Sequence, residues 1–279
     1  MAHTGLSGHL RFEPTNFYLG AIFIFLYLPV GVLIVLAFND ATVTSFPFRS
    51  FTWKWFGVLA SDEAIGRGLV NSFVVVGATM VIVAVIGTLT AYTLVRYRFP
   101  GRLPVAALVF VPIVVPKSVL GISLVALTTA LDIPRSIYTV IFGHVLFCFP
   151  YVTIVVASVF LRLDQSLIDA SADLGAREWR TARKVVLPLI RNGVTAGLFV
   201  CFVLSFGEFS LSAFLAGREQ TLPLVIYSEF RFKVTPKINA LSTLVVAGNI
   251  LLVILAEYYR SRGAALLSRR TAISRRGSS

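Results

Sequence analysis

Leu69 to Val95 contains no charged side chain. A helix over that stretch, at about 1.5 Å per residue, is longer than the roughly 30 Å hydrocarbon core of a bilayer. A chain with such a run folds in lipid, where every backbone N–H and C=O must be satisfied within a helix or a closed barrel. Similar apolar runs recur along the sequence. The expectation is an all-α membrane protein with six transmembrane helices. Composition agrees: 57% of residues are hydrophobic and 14% charged, against about 25% charged in soluble domains.

In chain order, helix 1 is expected from about Phe17 to Phe38 with Pro29 inside it. It begins too late and runs too long for a secretory signal, and no small-residue cleavage site follows. A polar loop from Asn39 to Arg67 carries Trp53 and Trp55, residue types suited to a membrane interface. Helix 2 covers Leu69 to Val95. Helix 3 starts near Leu103, breaks around Pro116 and resumes to about Leu131. Helix 4 covers Ile137 to Leu161, interrupted at Pro150. Helix 5 covers Asn192 to Leu215, where Gly193 and Gly197 make a small-residue face for close packing. In the loop from Ala216 to Ile238, Leu222 to Phe232 reads as a short interfacial helix. Helix 6 covers Asn239 to Tyr259. Three segments follow: 1–68 with the tail, first span and loop; 69–260 as a five-helix core enclosing a polar loop at 162–191; and 261–279 as a basic tail.

The net charge of +12 would suggest nucleic acid in a soluble protein, but here it is asymmetric about the bilayer. Sixteen Lys and Arg fall in the N-terminal tail, the turn at Arg96, the polar loop and the C-terminal tail; eight fall in the opposite loops. Cytoplasmic loops are enriched in these residues. Both termini and the polar loop are therefore expected in the cytoplasm, and no nucleic-acid partner is expected. Cys148 and Cys201 lie inside apolar runs and show no disulfide or metal spacing. No metal site is expected.

Asp169 to Pro188 is the long polar island between apolar runs. Leu163, Leu167, Ala170 and Leu174 share a helical stripe, Gly175 interrupts it, a second short helix is expected to Val186, and Pro188 marks a break. Acids (Asp164, Asp169, Asp173) precede bases (Arg177, Arg180, Arg183, Lys184), an order that suits a helix dipole.

The island resembles the cytoplasmic loop of ABC-importer permeases. That signature is Glu-Ala-Ala, three residues, Gly, nine residues, Ile, one residue, Leu-Pro. The matching positions are Asp169, Ala170, Ser171, Gly175, Val185, Leu187 and Pro188; the spacing holds, with Asp for Glu, Ser for the second Ala and Val for Ile. The resemblance implies a type I ABC-importer permease fold in a bacterial inner membrane. It implies that Asp169, Ala170, Ser171, Asp173, Leu174, Gly175, Ala176, Leu187 and Pro188 dock on an ATP-binding subunit. It further implies two copies of that subunit, a second and related permease chain, a periplasmic solute-binding protein, and ATP with Mg held by the partner rather than by this chain. From Asn71 to Tyr259 the sequence is similar to the spermidine/putrescine-type subgroup, through V-L-G-I-S-L from Val119, S-F-G-E-F from Ser205, T-L-P-L-V-I-Y from Thr221 and T-P-K-I-N-A-L-S-T-L from Thr235. The implied cargo is a small polar solute of the polyamine, opine, amino-acid-like or phosphonate class. Lys117 departs from the subgroup, which often has an acid there.

Charges inside spans mark pathways or pairs. Lys117 lies deep in an apolar run; it either lines a pathway or snorkels to an interface. Glu208 is the one acid well inside a span. As a buried carboxylate it must be paired, hydrogen-bonded or protonated. Lys117, Ser118, Ser205 and Glu208 are the candidate pathway residues. Lys117 and Glu208 either pair across helices 3 and 5 or contact cargo independently. His144 reads as a hydrogen-bonded packing residue. No catalytic residue is expected, and the chain has no Gly-rich phosphate loop with a Lys for hydrolysing ATP. The alternative is a stand-alone secondary transporter or another polytopic membrane protein. It is disfavoured because proton-coupled carriers commonly use several intramembrane acids.

Overall fold

The computed structural model describes residues 14–42, 47–232 and 235–254. The expected basic tail at 261–279, most of the N-terminal tail and the end of helix 6 lie outside the described residues. The described elements are helical: α1 (Pro14–Ala37), α2 (Lys54–Ala60), α3 (Glu63–Arg96), α4 (Arg102–Val114), α5 (Lys117–Ala130), α6 (Ile137–Phe160), α7 (Gln165–Asp173), α8 (Glu178–Thr181), α9 (Leu187–Phe206), α10 (Ser210–Leu215), α11 (Leu222–Phe232) and α12 (Pro236–Ile254). Among them, five helices are long and apolar enough to cross a membrane alone, and α4 with α5 make a sixth span if counted as one.

The chain divides into two compact units, Glu63–Ser228 and Met1–Asp62 with Glu229–Ser279. In the first unit α3, α6 and α9 pack on one another. Small residues permit this approach: the fully buried Val152 lies where a Cβ on Gly87 or Gly197 would sit 3.2 or 3.3 Å from it. Gly193, the other half of the expected small-residue face, packs on Val159. In the second unit, Phe38 stacks on Phe51 at 5.2 Å and meets Trp53 edge-on at 4.9 Å. There Trp55 donates from Nε1 to the Asn39 carbonyl at 2.9 Å, and Lys237 bridges Asp62 at 2.8 Å and Glu229 at 3.1 Å.

Several expected boundaries move. α3 begins at Glu63 rather than Leu69, because the polar residues ahead of the apolar run carry the helix on beyond it. The break at Pro116 is far sharper than a kink, a bend of 109° between α4 and α5. Pro150 does not interrupt α6; neighbouring helices tolerate its lost donor. Helix 5 was expected as one span to Leu215, yet α9 ends at Phe206 and α10 starts at Ser210. Pro188 does not break the helix either. A π turn at Ala182–Val186 precedes it, and that wider turn shifts the carbonyls that a proline ring four residues on would otherwise strike.

Candidate functional site

The break between α9 and α10 places three residues, Gly207, Glu208 and Phe209, outside regular helix within the first unit. A break inside an apolar span leaves backbone groups that side chains must satisfy. Here Glu208 Oε1 accepts from the Leu211 N–H at 3.2 Å, and the Glu208 carbonyl accepts from Ser212 Oγ at 3.1 Å. Oε2 meets Lys117 Nζ at 2.6 Å. The Glu208 side chain is 1% exposed and that of Lys117 44%, so the pair is a buried carboxylate closed by a lysine arriving from the accessible side. Lys117 opens α5 directly after the bend. An ammonium there opposes the helix dipole, which Glu208 offsets. The ammonium also lies 4.5 Å from the Phe147 ring centroid, within cation–π range.

His144 continues the network. Nδ1 lies 2.7 Å from Ser205 Oγ and Nε2 3.1 Å from Ser212 Oγ. Ser212 commits its proton to the Glu208 carbonyl, so it accepts from Nε2–H. Nδ1 is then left to pair with Ser205 Oγ. Of the four expected pathway residues, the structure joins Lys117 to Glu208 directly. It ties Ser205 to them through His144 and Ser212, and leaves Ser118 exposed on α5. Phe147 and Ser212 were missed by sequence reasoning. Their signal was spacing: Phe147 follows His144 by three residues and Ser212 follows Glu208 by four, the helical neighbours of the two polar residues already singled out.

The second site is the polar loop. Asp164 caps α7 by accepting from the Ser166 N–H at 3.0 Å, and those hydrogen bonds from Ser166 hold its carboxyl below the usual carboxylate range. α7 ends in a paired-bond cap: Ala176 N–H reaches the Ser171 carbonyl at 3.1 Å and Gly175 N–H the Ala172 carbonyl at 2.8 Å. This motif demands a left-handed residue after the helix, and Gly175 has φ +76°. A hydroxyl pair, Ser171 to Thr181 at 2.9 Å, pins α7 to α8. Of the expected stripe, Leu163 packs against the core, whereas Leu167, Ala170 and Leu174 are exposed. α7 buries no residue, Leu174 is 89% exposed and Trp179 75%. Asp169, Ala170, Asp173, Leu187 and Pro188 are exposed as well, while Ser171 and Ala176 are half-buried. Trp179 and Thr181 were not among the expected residues. No group of metal-ligating side chains occurs among the described residues.

Membrane-length helices, one of them discontinuous with an ion pair at its break, define a polytopic membrane protein. Residues 83–263 match the family described as binding-protein-dependent transport system inner membrane component, and the chain belongs to that family. It is 34% identical over 241 residues to the spermidine/putrescine transport system permease protein PotC of Escherichia coli, covering 86% of this chain and 91% of that one. Against PotC of Haemophilus influenzae it is 31% identical, covering 88% and 96%. Against the putrescine transport system permease protein PotI of E. coli it is 32% identical, covering 91% and 93%. The fold matches a chain of a bacterial ABC transporter involved in the import of the acidic polysaccharide alginate, with TM-score 0.69, 14% identity and coverage of 94% and 99%. It also matches a chain of the MetNI methionine ABC transporter, with TM-score 0.57, 18% identity and coverage of 76% and 97%. The chain is therefore a membrane permease with the fold of ABC-importer subunits.

Proposed function

We propose that this permease passes a small polar solute, of the polyamine, opine, amino-acid-like or phosphonate class, from a periplasmic binding protein to the cytoplasm. The solute crosses between this chain and a second, related permease. Two copies of an ATP-binding subunit, which hold ATP and Mg, drive the cycle. Both termini and the α7–α8 loop face the cytoplasm. The observation that carries this reading is the loop's outward apolar surface. Leu174 and Trp179 are held on a loop tied by Ser171 and Thr181, and their large apolar side chains are left exposed among the described residues. Exposed apolar patches with a polar rim mark protein contacts, and a groove on the ATP-binding subunit is the partner that suits a short helix pair. Lys117 and Glu208 lie on the solute route, as a pair rather than as two independent contacts.

Co-expression with the candidate ATP-binding subunit tests this. Affinity capture of this chain should retain that subunit, and reconstituted complex should hydrolyse ATP faster when the loaded binding protein is added. A chain that inserts but neither retains the subunit nor stimulates hydrolysis overturns the reading.

A further inference from the structure

We propose that Glu208 and Phe147 form a binding site for a primary ammonium group, that Lys117 is its resident occupant, and that an ammonium of the cargo displaces Lys117 during transport. The inference rests on the permease reading and specifies the chemistry of its site. Glu208 is oriented without help from Lys117, because Oε1 is held by the Leu211 N–H at 3.2 Å and the carbonyl by Ser212. That leaves Oε2 as the acceptor aimed at a cation, with the Phe147 face 4.5 Å from the ammonium it now holds. A fixed carboxylate oxygen beside an aromatic face is a donor set for an ammonium.

The two partners differ in freedom. Glu208 is 1% exposed and Lys117 44%. The lysine enters from the accessible side on a flexible stem, and its place at the start of α5 gives it no help from the helix dipole. It can swing out into water, whereas Glu208 cannot follow and requires another cation. A tethered ammonium acts at an effective concentration on the order of millimolar or above. Simple monoamines are therefore excluded, and a cargo must add further contacts to displace it. Lys117 is in this sense a specificity-determining residue.

The test uses the complete importer in nanodiscs, with butylammonium as the probe and butyrate as the control. Lys117→Ala should show a saturable rise in melting temperature of at least about 2 °C with butylammonium and none with butyrate. Wild type at the same concentration, and Lys117→Ala/Glu208→Gln, should show no rise. Adding Phe147→Leu to Lys117→Ala should weaken the amine's half-saturation about fivefold. If Lys117→Ala does not assemble, growth with butylammonium should restore its assembly. An absent shift, an equal shift in the Glu208→Gln background, or assembly that butylammonium fails to restore each overturns the proposal. Binding of the ATP-binding subunit is measured in parallel on wild type. Its loss there defeats the permease reading, while its retention with no amine effect in Lys117→Ala defeats this proposal alone.

Discussion

Lys117 Nζ and Glu208 Oε2 lie 2.6 Å apart, although 91 residues separate them in sequence. The pair is asymmetric, with the carboxylate buried and the lysine half exposed. Removing one member of a fully buried pair costs roughly 3–5 kcal/mol. Lys117→Met strands the buried carboxylate and should approach that range, whereas Glu208→Gln leaves a lysine that water can reach and should lose less. The double mutant should recover relative to Lys117→Met. Melting temperatures and uptake of the four proteins check this, and additive losses would show that the pair does not act as a unit.

Gly175 is held at φ +76° by the cap of α7, and a Cβ there would meet nothing within 4 Å among the described residues. Its requirement within the chain is therefore conformational. Gly175→Asn should retain coupling, because Asn tolerates the left-handed region. Gly175→Arg should insert in the membrane yet lose cargo-stimulated ATP hydrolysis. If Asn fails as badly as Arg, close approach by the ATP-binding subunit sets the requirement instead.

Trp179 and Leu174 are the outward anchors of the loop. Trp179→Ala should weaken retention of the ATP-binding subunit by about 2 kcal/mol, roughly thirtyfold in Kd, without altering insertion. Titration of the purified subunit onto nanodisc-held permease measures this, and an unchanged Kd would place docking elsewhere.

His144 joins Ser205 to Ser212 behind the break. His144→Phe removes both ring nitrogens from a buried network and should destabilise by about 1–3 kcal/mol. His144→Gln, which keeps one donor and one acceptor, should lose less. Thermal unfolding in detergent ranks the two, and equal losses would mean that ring packing outweighs the hydrogen bonds.

Orientation is checked by reporter fusions. A fusion after Ser279 should report the cytoplasm and one within residues 48–60 the periplasm, as the distribution of Lys and Arg requires. A periplasmic C-terminus would reverse the proposed topology and separate the α7–α8 loop from any ATP-binding subunit.

The sequence alone determined the membrane class, the rough position of the apolar spans and the existence of the polar loop. Partition into lipid is a property of each apolar window, readable without knowing its neighbours. The interruption at Gly175 was legible for the same reason, because it lies within a few residues of the helix it ends; its left-handed backbone and the helix that runs on through Pro188 were not. Tertiary structure decided what faces what. The choice between pairing and independence for Lys117 and Glu208 depends on how α5 and the α9–α10 break meet, which no local window encodes. The same holds for His144 between two serines that follow it by 61 and 68 residues. The outward turn of Leu174 was hidden as well, because an amphipathic stripe records that an apolar face exists and leaves open whether its partner lies within the chain or beyond it. The break at Gly207 could not be read from an apolar run that continues to Leu215. It stands because Glu208 and Ser212, beside the break, satisfy backbone groups it frees, in a setting where water cannot.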